Sequence, residues 1–259
     1  MAGQEIPRWI HGPSGRIRVE AGGSGRATPV LLLHGLAMNL TTWRAQLEHL
    51  WVSRRAAAFD YPGCGESDPP SDRDYSLAAR ARSVDAVADA LGYDRFVVVG
   101  HSYSGLVAGK YAAENPGRVA GVLLADGALD PGTWPAGMVE GIARSMRDDW
   151  DDAIAKGFTP NLALASDDVR AAAFAALEAT PRESVIAGFG GLAGHDARAT
   201  LARYPGPKLS IAAEVMDEPR AVHHTIPIPL RVMKGVSHML MMDRPEEFNR
   251  LLDGFLDGL

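Results

Sequence analysis

The chain has 259 residues, 46% of them hydrophobic, and a formal net charge of −6. That length buries one full core with room for an insertion, and an acidic balance without a basic stripe excludes nucleic acid as a partner. No apolar run approaches the ~20 residues of a membrane span, Met1 to Gly15 lacks the pattern of a signal peptide, and the single Cys64 has no internal disulfide partner. The expectation is a cytoplasmic chain, monomeric or homodimeric, with no membrane partner.

In chain order, short strands are predicted near Arg8–His11 and Arg16–Glu20. Pro29–Leu33 is apolar throughout, as a parallel strand buried on both faces requires. Thr41 or Thr42 is expected to cap a helix to about Trp51, and Ala56–Asp60 gives the next strand. Ser76 opens a helix to Leu91 with Leu77, Ala81, Val84, Val87, Ala88 and Leu91 on its inner stripe, and Gly92 ends it. The strand Phe96–Val99 runs into Gly100-His101-Ser102-Tyr103-Ser104-Gly105, followed by a helix over Leu106–Asn115 and a strand over Val119–Ala125. Strand and helix alternate, so the sheet is mostly parallel. Residues 127–206 break the rhythm with helical stretches near Ala136–Phe158, Asp167–Glu178, Ser184–Gly190 and Ala197–Tyr204. Strands resume at Lys208–Ala213 and Leu230–Val236, and an amphipathic helix runs from Pro245 to Leu256.

The strand-to-helix turn around Ser102 carries the chemistry. A sharp reversal there strains the serine backbone, and small residues on either side let the neighbouring backbones approach. The turn exposes the Ser102 hydroxyl and aims the Tyr103 amide, at a helix N-terminus, into the same space. A serine attacks only when a base takes its proton, so a histidine and an orienting acid must follow. Asp126, closing the Val119–Ala125 run, and His238, in Gly235-Val236-Ser237-His238, come in that order.

With these residues the chain resembles the α/β-hydrolase superfamily, in its compact bacterial serine esterase or lactonase form. The stretches Val30–Leu36 with His34-Gly35, Asp60–Asp68 and Arg244–Phe248 match as well, so the likeness runs nearly end to end. The resemblance implies a mostly parallel eight-stranded sheet flanked by helices. Residues 1–126 and 207–259 would form the core and 127–206 a helical cap after the sixth strand. It places His238 as general base and the Leu36 amide beside that of Tyr103 in the oxyanion hole. Relatives that make an alkyl-enzyme ester carry aspartate at the elbow; serine at 102 favours acyl transfer instead. The acid has two candidates. The commonest family position follows the Lys208–Ala213 strand, but there Met216 falls in register and Asp217 comes one residue late. Asp126 sits at the other position this fold uses and is taken ahead of Asp217. Asp60–Asp68 with Gly63 and Gly65 reads as a structural turn. His34 packs in the oxyanion loop, His101 cannot reach over the nucleophile, and His223-His224 reads as a surface loop without a metal.

The reading is a cofactor-free serine hydrolase for a small uncharged ester or lactone, with Ser102, His238 and Asp126 in the catalytic roles. Two other classes stay open on the same residues: a ligand-sensing receptor with slow turnover, and a cofactor-free dioxygenase using the His–Asp pair. One fold hosts many chemistries, so the likeness does not separate them.

Overall fold

The computed structural model describes residues 8–127 and 130–259. Among the described residues eight strands and eleven α-helices follow one another: β1 (Arg8–Gly12), β2 (Gly15–Gly22), β3 (Val30–Leu33), α1 (Arg44–Leu50), β4 (Ala56–Phe59), α2 (Leu77–Ala90), β5 (Phe96–His101), α3 (Tyr103–Glu114) and β6 (Val119–Ala125). Then come α4 (Met138–Asp148), α5 (Trp150–Gly157), α6 (Asp167–Ala179), α7 (Arg182–Gly190), α8 (Ala197–Ala202), β7 (Lys208–Ala213), α9 (Val222–Thr225), β8 (Leu230–Met233), α10 (Leu240–Asp243) and α11 (Pro245–Leu256).

The strands form one sheet in the order β1-β2-β4-β3-β5-β6-β7-β8. β1, β2 and β4 pair antiparallel and the remaining pairs are parallel. This is the mostly parallel, helix-flanked sheet expected from the sequence. Side chains alternate across it with period two. Leu31, Leu33 and Val98 enter the core beneath α2 and α3. Val30, Leu32, Val97 and Val99 enter the opposite core, beneath α1 and α11. Every residue of β3, β4, β5 and β6 is buried, which explains their unbroken apolar runs. β3 lies between β4 and β5, so the chain leaves it to one side and later returns on the other. The crevice at the carboxyl ends of β3 and β5 is the topological switch point where open α/β sheets place ligands.

Several predicted elements shift in detail. The α2 cap is Ser76, whose Oγ accepts from Ala79 N at 3.2 Å, and Gly92 takes φ 64° just beyond the helix. No side chain caps α1 itself; Asn39, rather than a threonine, caps the 3-10 turn Leu40–Trp43 that leads into it, its side-chain Oδ1 accepting from Thr41 N. The helix after the elbow begins at Tyr103, three residues earlier than expected, with Ser102 as its N-cap residue. The stretch expected as one helix over 136–158 is two, broken at Asp149, whose carboxylate accepts from Asp152 N to start α5.

Between β6 and β7 the described residues contain helices and no strand. A separate apolar cluster joins Leu162, Val169, Leu177 and Val185 to Ala37, Met38 and Met239 on the sheet side. α8 sits elsewhere: Leu201 packs 2.8 Å from where a Cβ on Gly109 of α3 would lie, and the neighbouring Tyr204 hydroxyl donates to the Val119 carbonyl at 3.1 Å. The helices over the switch point are therefore α4 to α7.

Candidate active site

At the end of β5 the backbone of Ser102 adopts φ 53°, ψ −124°, outside the regions open to most L-residues. Two contacts hold it there. Ser102 N donates to the Ala125 carbonyl at 3.0 Å, and its own carbonyl accepts from Gly105 N at 2.8 Å to start α3. The turn is so tight that a Cβ on Gly100 would strike the Ser104 carbonyl and lie 2.8 Å from Gly105 N. Only glycine fits there. A Cβ on Gly35 would likewise lie 2.7 Å from His101 Nδ1 and 3.4 Å from Ser102 Cβ, so Gly35 lets the β3 loop approach the elbow.

Asp126 follows β6 directly, also at positive φ (48°). Its N–H donates to the Ile211 carbonyl at 2.6 Å, and its Oδ1 accepts from Ala213 N at 2.8 Å. Only Oδ2 is left, and it meets His238 Nδ1 at 2.6 Å. A carboxylate only accepts, so Nδ1 of His238 carries a proton, and the tautomer this selects is the one whose lone pair lies on Nε2. His238 is fixed from three sides: by Asp126, by its N–H donating to the Asn161 carbonyl at 3.0 Å, and by its own carbonyl, which accepts from His101 Nε2 at 2.9 Å.

Ser102, His238, Leu36 and Tyr103 all line one cavity of ≈ 690 Å³ between the sheet and α4–α7. The Ser102 hydroxyl makes no hydrogen bond to a described residue, so its oxygen stands free in this cavity. As the first helical residue Tyr103 has no intrahelical acceptor for its N–H, and the Leu36 amide donates to no described group. Met138, Ile142, Met146, Phe158, Phe189 and Leu192 give the roof its apolar character.

The loop after β3 is braced from behind. His34 Nε2 accepts from Tyr61 N at 3.1 Å, and its Nδ1 donates to the Gly35 carbonyl at 2.8 Å. Burial pushes its pKa down to about 3, against the opposing pull of the Gly35 carbonyl, so the ring is neutral. The Asp60 carboxylate accepts from Leu40 N at 2.7 Å and from Glu66 N at 2.9 Å, tying this loop to the turn after β4. Burial raises the Asp60 pKa to about 6 even against those two donors. A folded-state value above the ordinary 3.8 means the native state binds the proton more tightly. The associated stability is fully present below about 3.8 and is lost as pH rises through about 6. An asparagine has no such titration. The destabilisation caused by Asp60→Asn is therefore expected to be larger at pH 4.5 than at pH 7, by on the order of 1–2 kcal/mol, in urea unfolding at the two pH values. An equal penalty at both would refute this account of Asp60.

Two features escaped the sequence. His101 is a bracket for the His238 backbone as well as the neighbour of Ser102, with its ring centroid 4.7 Å from that of His238. Burial, then the proximity of His238, hold it well below the usual histidine range, so it stays a neutral donor. Behind Tyr103 lies the buried guanidinium of Arg80, 5.2 Å from that ring's centroid and 4.8 Å from that of Tyr61. No carboxylate pairs with it among the described residues. Its sequence signal was an arginine between Leu77 and Val84 on the apolar stripe of α2.

Asp217 stands apart from His238. Its Oδ1 is engaged by His223 Nε2 at 3.1 Å and by His224 Nε2 at 2.5 Å. The two histidines lie in the short helix α9 rather than in a surface loop, and His223 is buried. His223 folds inward because Ser210 of β7, itself fully buried, meets its Nδ1 at 3.0 Å, while His224 stays exposed.

A family model for the alpha/beta hydrolase fold matches residues 28–219, well over half of the chain, and the chain belongs to that family. A serine hydrolase-like protein of Danio rerio is 36% identical over 115 residues, covering 44% of this chain and 35% of that protein. The chain thus spans about a third of the length of the curated relatives it matches. Among solved structures, Est816, described as an N-acyl homoserine lactone degrading enzyme, superposes with a TM-score of 0.82 at 25% identity, covering 96% of this chain and all of that one. A thermophilic esterase from Thermogutta terrifontis, with malate bound, gives 0.81 at 25% identity over 99% of both chains. Among the described residues no helix is long and apolar enough to cross a membrane.

Proposed function

We propose that this α/β hydrolase is a serine hydrolase that cleaves a small uncharged carboxylic ester or lactone through an acyl-enzyme on Ser102. The observation that carries the reading is the 2.6 Å contact between His238 Nδ1 and Asp126 Oδ2, with His238 lining the same cavity as the strained Ser102, whose hydroxyl bonds to no described residue. With Nδ1 protonated, His238 Nε2 takes the Ser102 proton as the hydroxyl attacks the carbonyl carbon. Such contacts are often long without substrate and tighten in the complex. Oxygen charge develops toward the amides of Leu36 and Tyr103, two residues that line this cavity and whose N–H groups have no acceptor among the described residues. His238 returns the proton to the leaving alcohol, or to the ring oxygen of a lactone. A water activated by the same histidine then releases the acid. Asp126 holds the tautomer and stabilises the imidazolium.

The apolar roof of Met138, Ile142, Met146, Phe158, Phe189 and Leu192 supports an uncharged acyl group packed against it, with the charged Asp152, Lys156 and Arg220 elsewhere in the same lining. The esterase and the lactone-degrading enzyme among the structural neighbours support the same class of substrate. The test is labelling with a fluorophosphonate, followed by turnover on a panel of p-nitrophenyl esters and lactones. Stoichiometric labelling at Ser102 with many turnovers per chain is the expected result. Product formation that stops near one per chain would favour a receptor, and absence of labelling would overturn the reading.

A further inference from the structure

We propose that Asp217, His223 and His224 form a binding site for a divalent transition ion of the zinc class, separate from the Ser102 centre. Their ligand atoms, one carboxylate oxygen and two imidazole nitrogens, all lie within 4.8 Å of one another. Ligands on one zinc ion, at about 2.0–2.2 Å from the metal, sit roughly 3.0–3.5 Å apart. The 3.1 Å between His223 Nε2 and Asp217 Oδ1 already has that spacing. The 2.5 Å between His224 Nε2 and the same oxygen must open slightly. His224, with a side chain 40% exposed, has the freedom to do so.

The donor set selects the ion. Two imidazoles and one carboxylate suit zinc, cobalt or nickel, whereas calcium and magnesium require shells made of oxygen. The surroundings are those of a built ligand. Ser210 Oγ, at 3.0 Å from His223 Nδ1, can accept a hydrogen bond from Nδ1–H and so leave the lone pair of Nε2 for the ion. His224 and the quarter-exposed Asp217 leave an open side for entry and for water to complete the shell. The same segment contributes Met216 and Arg220 to the cavity wall, so a bound ion would pin that wall to β7.

The proposal does not depend on the serine hydrolase reading and is tested without substrate. Chelator-treated full-length protein is titrated with zinc chloride, with magnesium chloride as control, while melting temperature and bound metal are measured. The expected result is one zinc per chain, a rise of about 5–10 °C at a hundredfold excess over Kd, and no response to magnesium. Cobalt chloride should give d–d absorption bands of a nitrogen- and oxygen-ligated ion. His224→Ala and Asp217→Asn, changes at partly exposed positions, should each lose the zinc shift and the cobalt bands, and His238→Ala should keep both. Zinc uptake unchanged in His224→Ala and Asp217→Asn, or lost only in His238→Ala, would overturn the proposal. No uptake by the wild-type chain would show a purely hydrogen-bonded cluster and overturn it as well.

Discussion

Ser102→Ala is expected to lower ester and lactone turnover by about 10³-fold or more and to abolish fluorophosphonate labelling, with the fold unchanged. The magnitude follows from the mechanism proposed for this site. Without the hydroxyl there is no acyl-enzyme, and what remains is substrate binding plus the two oxyanion amides. The fold survives because the hydroxyl bonds to no described residue, while the contacts that hold the elbow are made by backbone atoms that alanine keeps. His238→Ala should cost about as much, and the double variant little more than either alone, since nucleophile and base act as a unit. Turnover, active-site titration and circular dichroism on the three variants decide it. Labelling that persists in Ser102→Ala would place the nucleophile elsewhere.

How much of this site was legible in the sequence depends on how local each signal is. The elbow was legible because its determinants are neighbours: an apolar strand, Gly100, a serine and small residues at a helix start. The β3 strand and α11 were legible for the same reason, since periodicity and proline position are local. Asp126 was reachable because it ends a strand, and parallel pairing fixes where such an end lies relative to the elbow. The cap ahead of α1 was misplaced because Asn39, Thr41 and Thr42 are all competent, and the backbone path decides among them. The His223-His224 pair was misread because nothing nearby in sequence says that the buried Ser210, 13 residues earlier, draws one ring inward. His101 and Arg80 were missed for a related reason. Their partners, the His238 carbonyl and two aromatic faces, are brought to them only by tertiary packing.

The two aspartates can be ranked by experiment, and the geometry gives an asymmetric expectation. Asp126→Asn should lower kcat by roughly 10²–10⁴-fold with a modest change in KM, whereas Asp217→Asn should cost less than about tenfold. Asp126 is 1% exposed, and its Oδ1 is committed to the Ala213 amide, which fixes the direction of Oδ2 toward His238. An asparagine held by the same Oδ1 contact would turn its NH2 toward His238 Nδ1. The imidazole would then present a lone pair at Nδ1 and carry its proton on Nε2, facing Ser102, where it cannot accept the serine proton. The loss falls on kcat because the substrate-lining atoms are unchanged. Asp217 has no comparable route to the reaction. Its Oδ1 takes contacts from both His223 and His224, and burial, which would raise its pKa, is outweighed by those hydrogen bonds. Steady-state kinetics on the two variants, with folding checked by circular dichroism, gives the ranking. A larger loss in Asp217→Asn than in Asp126→Asn would transfer the orienting role to Asp217 and require His238 to swing away from the partner it holds at 2.6 Å.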